Sequence, residues 1–103
     1  MDAYDTCLTI VCPKALEEAL VDHLLEHPEL VPGFTSQAVE GHGQGVPLHG
    51  TGEEVRGRSR RVQIQVVMAG EAAMALIRHL KDRLPNPEVA YWLSPVAQFG
   101  RFA

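Results

Sequence analysis

Two hydrophobic spacings take turns along this chain. Thr6 to Cys12 reads TCLTIVC, an apolar and β-branched run with Leu8, Ile10 and Cys12 on one face and Cys7, Thr9 and Val11 on the other. Neither face is clearly wet, which predicts a central strand. Pro13 stops the strand and suits the first turn of a helix. From Lys14 to about His27 the period becomes helical. Leu16, Leu20 and Leu24 form an i, i+4 stripe thickened by Ala19 and Val21, and Glu17, Glu18, Asp22 and Glu26 take the solvent side. Pro28 and the Pro32-Gly33 pair end this helix. Phe34 to His42 reads as a second, less apolar strand suited to a sheet edge.

The stretch from Gly41 to Gly57 has no apolar periodicity and holds six of the nine glycines. It predicts a long mobile loop, about residues 43–58, of a length that is usually functional or disordered. Arg60 to Met68, RRVQIQVVM, alternates again, with Val62, Ile64 and Val66 set against Arg61, Gln63 and Gln65. Gly70 to about Leu84 is a second helix with Ala73, Leu76, Ile77, Leu80 and Leu84 inward, and Arg78 and Asp82 spaced to pair outside. Pro85-Asn86-Pro87 stops it. Glu88 to Ser94 is a fourth strand in which Tyr91 and Trp92 point to opposite faces, one toward the core and one toward an interface. Residues 96–103 form a short tail.

The order βαββαβ predicts an α+β, ferredoxin-like sandwich: one domain over residues 1–103, with an antiparallel four-stranded sheet and two helices on one face. The other face would then carry Cys7, Thr9, Val11, Arg61, Gln63, Gln65 and Val67, or their neighbours one step away. That surface is too apolar to leave to water, and packing against copies of the same chain is the economical cover.

Composition narrows the function. At 46% apolar and 21% charged residues the chain is an ordinary globular sequence. No apolar run reaches the ~18 residues of a membrane span, and the acidic start, with Asp2 and Asp5, does not resemble a secretory signal, so a cytoplasmic protein without membrane insertion is expected. Cys7 and Cys12 would stand roughly 16 Å apart along a strand and on opposite faces, too far for a disulfide. A formal net charge of −4 argues against nucleic-acid binding. The third strand also lacks the aromatic residues on which RNA bases stack. No nucleophile elbow, phosphate-binding Walker sequence or zinc-hydrolase motif is present, so no enzyme is expected.

Several stretches resemble the PII signal-transduction proteins. IVCPKALEEAL, Ile10 to Leu20, resembles the end of their first strand and the start of their first helix. GFTSQAVEGHGQG, Gly33 to Gly45, resembles the second strand and the opening of their T-loop, and RRVQIQVV, Arg60 to Val67, resembles the third strand. The closest likeness is to a small PII-like bacterial family without assigned function, whose genes often lie beside heavy-metal efflux pumps. The resemblance implies a homotrimer with ligands in clefts between subunits and a T-loop that reports to a protein partner, such as a membrane transporter. It also marks two departures. Where the PII family has a glycine-rich, lysine-bearing phosphate loop, this chain has Leu84-Pro85-Asn86-Pro87, so the triphosphate cradle is missing or differently built. The T-loop glutamine is displaced, with Gln44 directly after Gly43.

The expected ligand is therefore a small anion, with an adenine nucleotide one candidate. Alternating glycines in Gly41-His42-Gly43-Gln44-Gly45 let backbone N–H groups converge on an anion, or serve simply as a turn that needs positive φ. Arg60 and Arg61 lie at the other base of the loop. Arginine is a natural fork for phosphate or carboxylate, although such charge runs are also ordinary solvated surface. Thr35, Gln63 and Arg101 complete the expected set, with Arg101 reaching from the tail into a neighbouring subunit's cleft as the resemblance implies. The alternative is a transition-metal protein like the CutA cation-tolerance relatives of PII, with His42 and His49 as ligands. His23 and His27, at i, i+4, read as surface histidines.

Overall fold

The computed structural model describes residues 4–42 and 58–103, and the side chains of 58 and 59 lie outside that description. Strands β1 (Thr6–Pro13), β2 (Thr35–His42), β3 (Arg58–Met68) and β4 (Ala90–Pro95) form one sheet. Its order is β2-β3-β1-β4, antiparallel throughout. Helices α1 (Glu17–Leu25) and α2 (Gly70–Arg83) connect β1 to β2 and β3 to β4. This is the α+β, ferredoxin-like arrangement that the sequence pattern implies.

The alternation seen in the sequence becomes the two faces of the sheet. Leu8, Ile10 and Cys12 of β1 and Val62, Ile64, Val66 and Met68 of β3 are buried with Leu20 and Leu24 of α1 and Ala73, Leu76 and Ile77 of α2. The register Leu8↔Val66, Ile10↔Ile64, Cys12↔Val62 puts the strand residues of this core on one face. Their neighbours, Cys7, Thr9 and Val11 with Gln65, Gln63 and Val67, therefore occupy the opposite, helix-free face.

Helix α1 begins later than its leucine spacing suggests. Lys14–Leu16 is a 3-10 turn following Pro13, a common form for the start of a helix. At the other end α1 stops at Leu25, because His27 precedes Pro28 and a residue before proline avoids the α conformation. On α2, Asp82 meets Arg83, with Nε 3.6 Å from Oδ2, rather than Arg78.

β4 departs more from expectation. Tyr91 and Trp92 do point to opposite faces, opposite Ile10 and Thr9 respectively. Tyr91 is not core, however: it is 41% exposed, under the Lys81 ammonium at 5.2 Å. The helices cover the β1–β3 middle of the sheet and leave the edge strand open on both sides. At the loop, β2 ends at His42 as the sequence suggests, while β3 starts two residues earlier than expected, at Arg58. Residues 43–57, the expected mobile segment apart from its last residue, Arg58, lie outside the described residues.

Candidate functional site on the open sheet face

The helix-free face is assembled from β2, β3, β1 and β4 by their pairings. Thr35 stands opposite Gln65, Gln37 opposite Gln63 and Val39 opposite Arg61. Thr9 lies between Gln65 and Trp92. Thr9 is buried, and the Gln65 amide Nε2 donates to its hydroxyl at 3.4 Å. Trp92 stays 49% exposed beside it. The surface is thus a polar centre flanked by an aromatic ring and by Val11 and Val67.

One end of this face is a cavity of about 270 Å³ between the start of β2, the middle of β3 and the C-terminal tail. Thr35, Gln65, Val67, Cys7, Phe34 and Arg101 line it together with Tyr4, Phe99 and the Pro32-Gly33 turn. The tail reaches it because the Val96 amide donates to the Asp5 carbonyl at 2.9 Å. The Phe99 ring then packs on Tyr4, with centroids 5.2 Å apart. Arg101 lies over Phe99 at 5.8 Å. Arg101 thus lines a cavity that Thr35 and Gln65 also line, residue types able to supply one cation and two neutral hydrogen-bonding groups for a small anion. Within one chain, Arg101 lines its own chain's cavity.

The other end holds the base of the loop. Gly41 and His42 pair with Ser59 and Arg58, Glu40 with Arg60, and Val39 with Arg61. Strand pairing brings Gly41, the first glycine of that stretch, close to the arginines of β3. Arg61 is only 6% exposed and donates through Nη1 to the Glu88 carbonyl at 3.0 Å. The same turn is closed by Asn86, whose side-chain oxygen accepts from the Glu88 amide at 2.8 Å. Arg61 thus ties β3 to the segment ahead of β4, across the end of β1. Gln63 is half-buried between Val11 and Gln37. Gly43, Gln44, Gly45 and His49 lie outside the described residues, so the geometry of the His42 and His49 pair does too.

The expected residues therefore form two groups within one chain. Thr35 and Arg101 are at one end of the open face and Gly41 and Arg61 at the other, while His42 and Arg60, one residue along their strands, fall on the helix side. Thr35 and Val39 are four strand residues apart, roughly 13 Å. The β3 alternation places Gln65 on this face, but sequence reasoning missed Tyr4 and Phe99, whose meeting depends on a contact between the two termini that no local spacing encodes. Among the described residues no helix is long and apolar enough to cross a membrane.

Both helices lie on one side of a β2-β3-β1-β4 sheet with a bare opposite face and a long β2–β3 connection, a ferredoxin-like fold that solved PII-like proteins share. A DUF3240 family protein from Shewanella baltica superposes with a TM-score of 0.77 at 18% identity, over 98% of this chain and 99% of that one. CPII from Thiomonas intermedia, a nitrogen regulatory PII-like protein bound to ADP, AMP and bicarbonate, gives 0.69 at 19% identity over 94% and 93%. CutA1 from Pyrococcus horikoshii gives 0.70 at 12% over 92% and 86%. No curated protein sequence matches the chain. The profile of DUF3240, a family of proteins of unknown function, matches residues 3–103, and the chain belongs to that family.

Proposed function

We propose that the protein is a PII-like regulator rather than an enzyme. In this reading it binds a small anion in clefts between the subunits of a homotrimer, and the ligand state reaches a protein partner through the glycine-rich segment between β2 and β3. The observation that carries the reading is the cavity on the open face, where Arg101 meets Thr35 and Gln65 beside a sheet surface that presents Trp92 to solvent. A surface of this kind is covered economically by other copies of the chain. A ring of copies would also set one chain's Arg101 end against another chain's Arg61 end, joining the two groups that a single chain keeps apart. The adenine nucleotides and bicarbonate bound to the structurally similar CPII make nucleoside phosphates and bicarbonate the first ligands to try. The Leu84–Pro87 segment offers no lysine for a triphosphate, which favours the smaller anions, AMP and bicarbonate among them.

The test is thermal denaturation of the full chain with ADP, AMP, bicarbonate, phosphate and acetate, repeated on Arg101→Ala. A ligand that binds only the folded state raises the midpoint in proportion to its occupancy. At least one anion is expected to stabilise the unmodified chain and to do so less in the variant. If every anion leaves the midpoint unmoved at millimolar excess, the reading is wrong.

A further inference from the structure

On the helix side of the sheet, away from the cavity and the loop, three of the histidines converge. His27 follows the end of α1 and His79 lies on α2, and their Nε2 atoms are 2.9 Å apart. The His23 ring, one turn before His27, stands with its centroid 6.0 Å from that of His79. His27 is held firmly. Its amide donates to the Leu24 carbonyl at 3.2 Å, and its carbonyl accepts from Leu30 and Val31 at 3.0 and 2.9 Å. Its ring is oriented by the Glu29 carboxylate, 3.3 Å from Nδ1. His23 Nδ1 is buried without a hydrogen bond, and Glu26 Oε1 stands 3.8 Å away.

We propose that His27 and His79 are the two fixed ligands of a site for a borderline divalent ion, Zn(II) or Cu(II), completed by His23 or water. With Nδ1–H of His27 donating to Glu29, Nε2 of His27 keeps its lone pair and accepts from Nε2–H of His79. Moving the His79 proton to its Nδ1 frees the second lone pair, and a turn of the two rings aims both at one ion. Two imidazoles bound tetrahedrally to zinc, at about 2.0–2.1 Å each, stand about 3.3 Å apart. The two nitrogens need to part by a few tenths of an ångström, with the rings turning as they do. Among the described residues no three His, Cys, Asp or Glu groups are already gathered around one point. The third ligand therefore arrives with the ion, by rotation of His23 or as solvent. A carboxylate behind a ligating histidine is the usual support for such a ring, and nitrogen donors favour copper and zinc over magnesium or calcium.

The site is independent of the anion cleft and of the His42 and His49 pair, and the test separates all three. Untagged full-length protein is titrated with zinc chloride and with copper chloride alone. One ion per chain is expected, with affinity reduced roughly tenfold to a hundredfold or more in His27→Gln and in His79→Gln. The double variant His42→Ala, His49→Ala should bind as the unmodified chain does. The copper-loaded unmodified protein should show at least two imidazole nitrogens in its electron paramagnetic resonance, a readout that stands even if a glutamine variant fails to fold. Absence of saturable binding, fewer than two nitrogens, or loss of binding only in the loop double variant overturns the proposal.

Discussion

Cys12 and Arg61 show how single side chains become specialised in this fold. Cys12 sits in the core and its thiol is pushed above the ordinary thiol range, first by burial and then by Glu17, with Arg61 opposing. Because its folded value lies above the unfolded one, the thiol's contribution to stability is complete at neutral pH. It is lost as pH rises through and beyond the ordinary thiol value of about 8.5. In a Cys7→Ser variant, Cys12 should stay unlabelled by a thiol reagent in the native protein. The unfolding midpoint should fall as pH is raised through the alkaline range. Ready native-state labelling at neutral pH would show that the core is not closed around it. Arg61 is spent on the turn before β4 rather than held out to solvent. Arg61→Ala removes its bond to the Glu88 carbonyl and should destabilise the chain by about 1–3 kcal/mol, measured as a shift in urea midpoint. A midpoint unchanged in that variant would mean that the arginine is as dispensable as ordinary surface charge.

Among the elements, the two central strands and the paired helices carry the core, while β2 and β4 are edges. Leu76 of α2 is fully buried against the sheet, so Leu76→Ala should cost about 2–5 kcal/mol, read from denaturant unfolding with the slope unchanged. Amide exchange should be slowest in β1 and β3 and faster in β2 and β4, since protection follows burial and pairing on both sides. Equal protection in β4 would require its edge to be covered by something outside one chain. The elements themselves were largely legible in the sequence. Period-two alternation in TCLTIVC and RRVQIQVV assigns both faces correctly, and the leucine stripe finds α1. What could not be read is what tertiary geometry adds. The spacing of Tyr91 and Trp92 separates their faces but cannot show that the helices stop short of β4. Likewise, the i, i+4 spacing of His23 and His27 is visible in sequence, but His79 joins them from 52 residues beyond His27. The cavity was half legible for the same reason: Thr35 and Arg101 stand out as residue types and Gln65 by its alternation on β3, whereas Tyr4 and Phe99 enter through the contact between the tail and the residues ahead of β1.

At the scale of the whole molecule, the unequal treatment of the two sheet faces organises everything else. One face is closed by helices, and the other offers Gln63 and Gln65 around a buried Thr9, ringed by Val11, Val67 and Trp92. The single tryptophan of the chain lies on it, so intrinsic fluorescence reports directly on whether the face is covered. Covering it would shift the emission to shorter wavelength, and Trp92→Glu should leave a soluble, folded single chain by placing a charge where an interface needs an apolar ring. Anion binding by that variant should weaken together with assembly if the clefts are shared between copies.

The most direct test of shared clefts is the mass of the unmodified protein in solution. Sedimentation equilibrium at micromolar concentrations should return a particle three times the 11.3 kDa of one chain. A single 11.3 kDa species at every concentration would contradict the account, because the open face would then have no cover and the two residue groups no means of meeting.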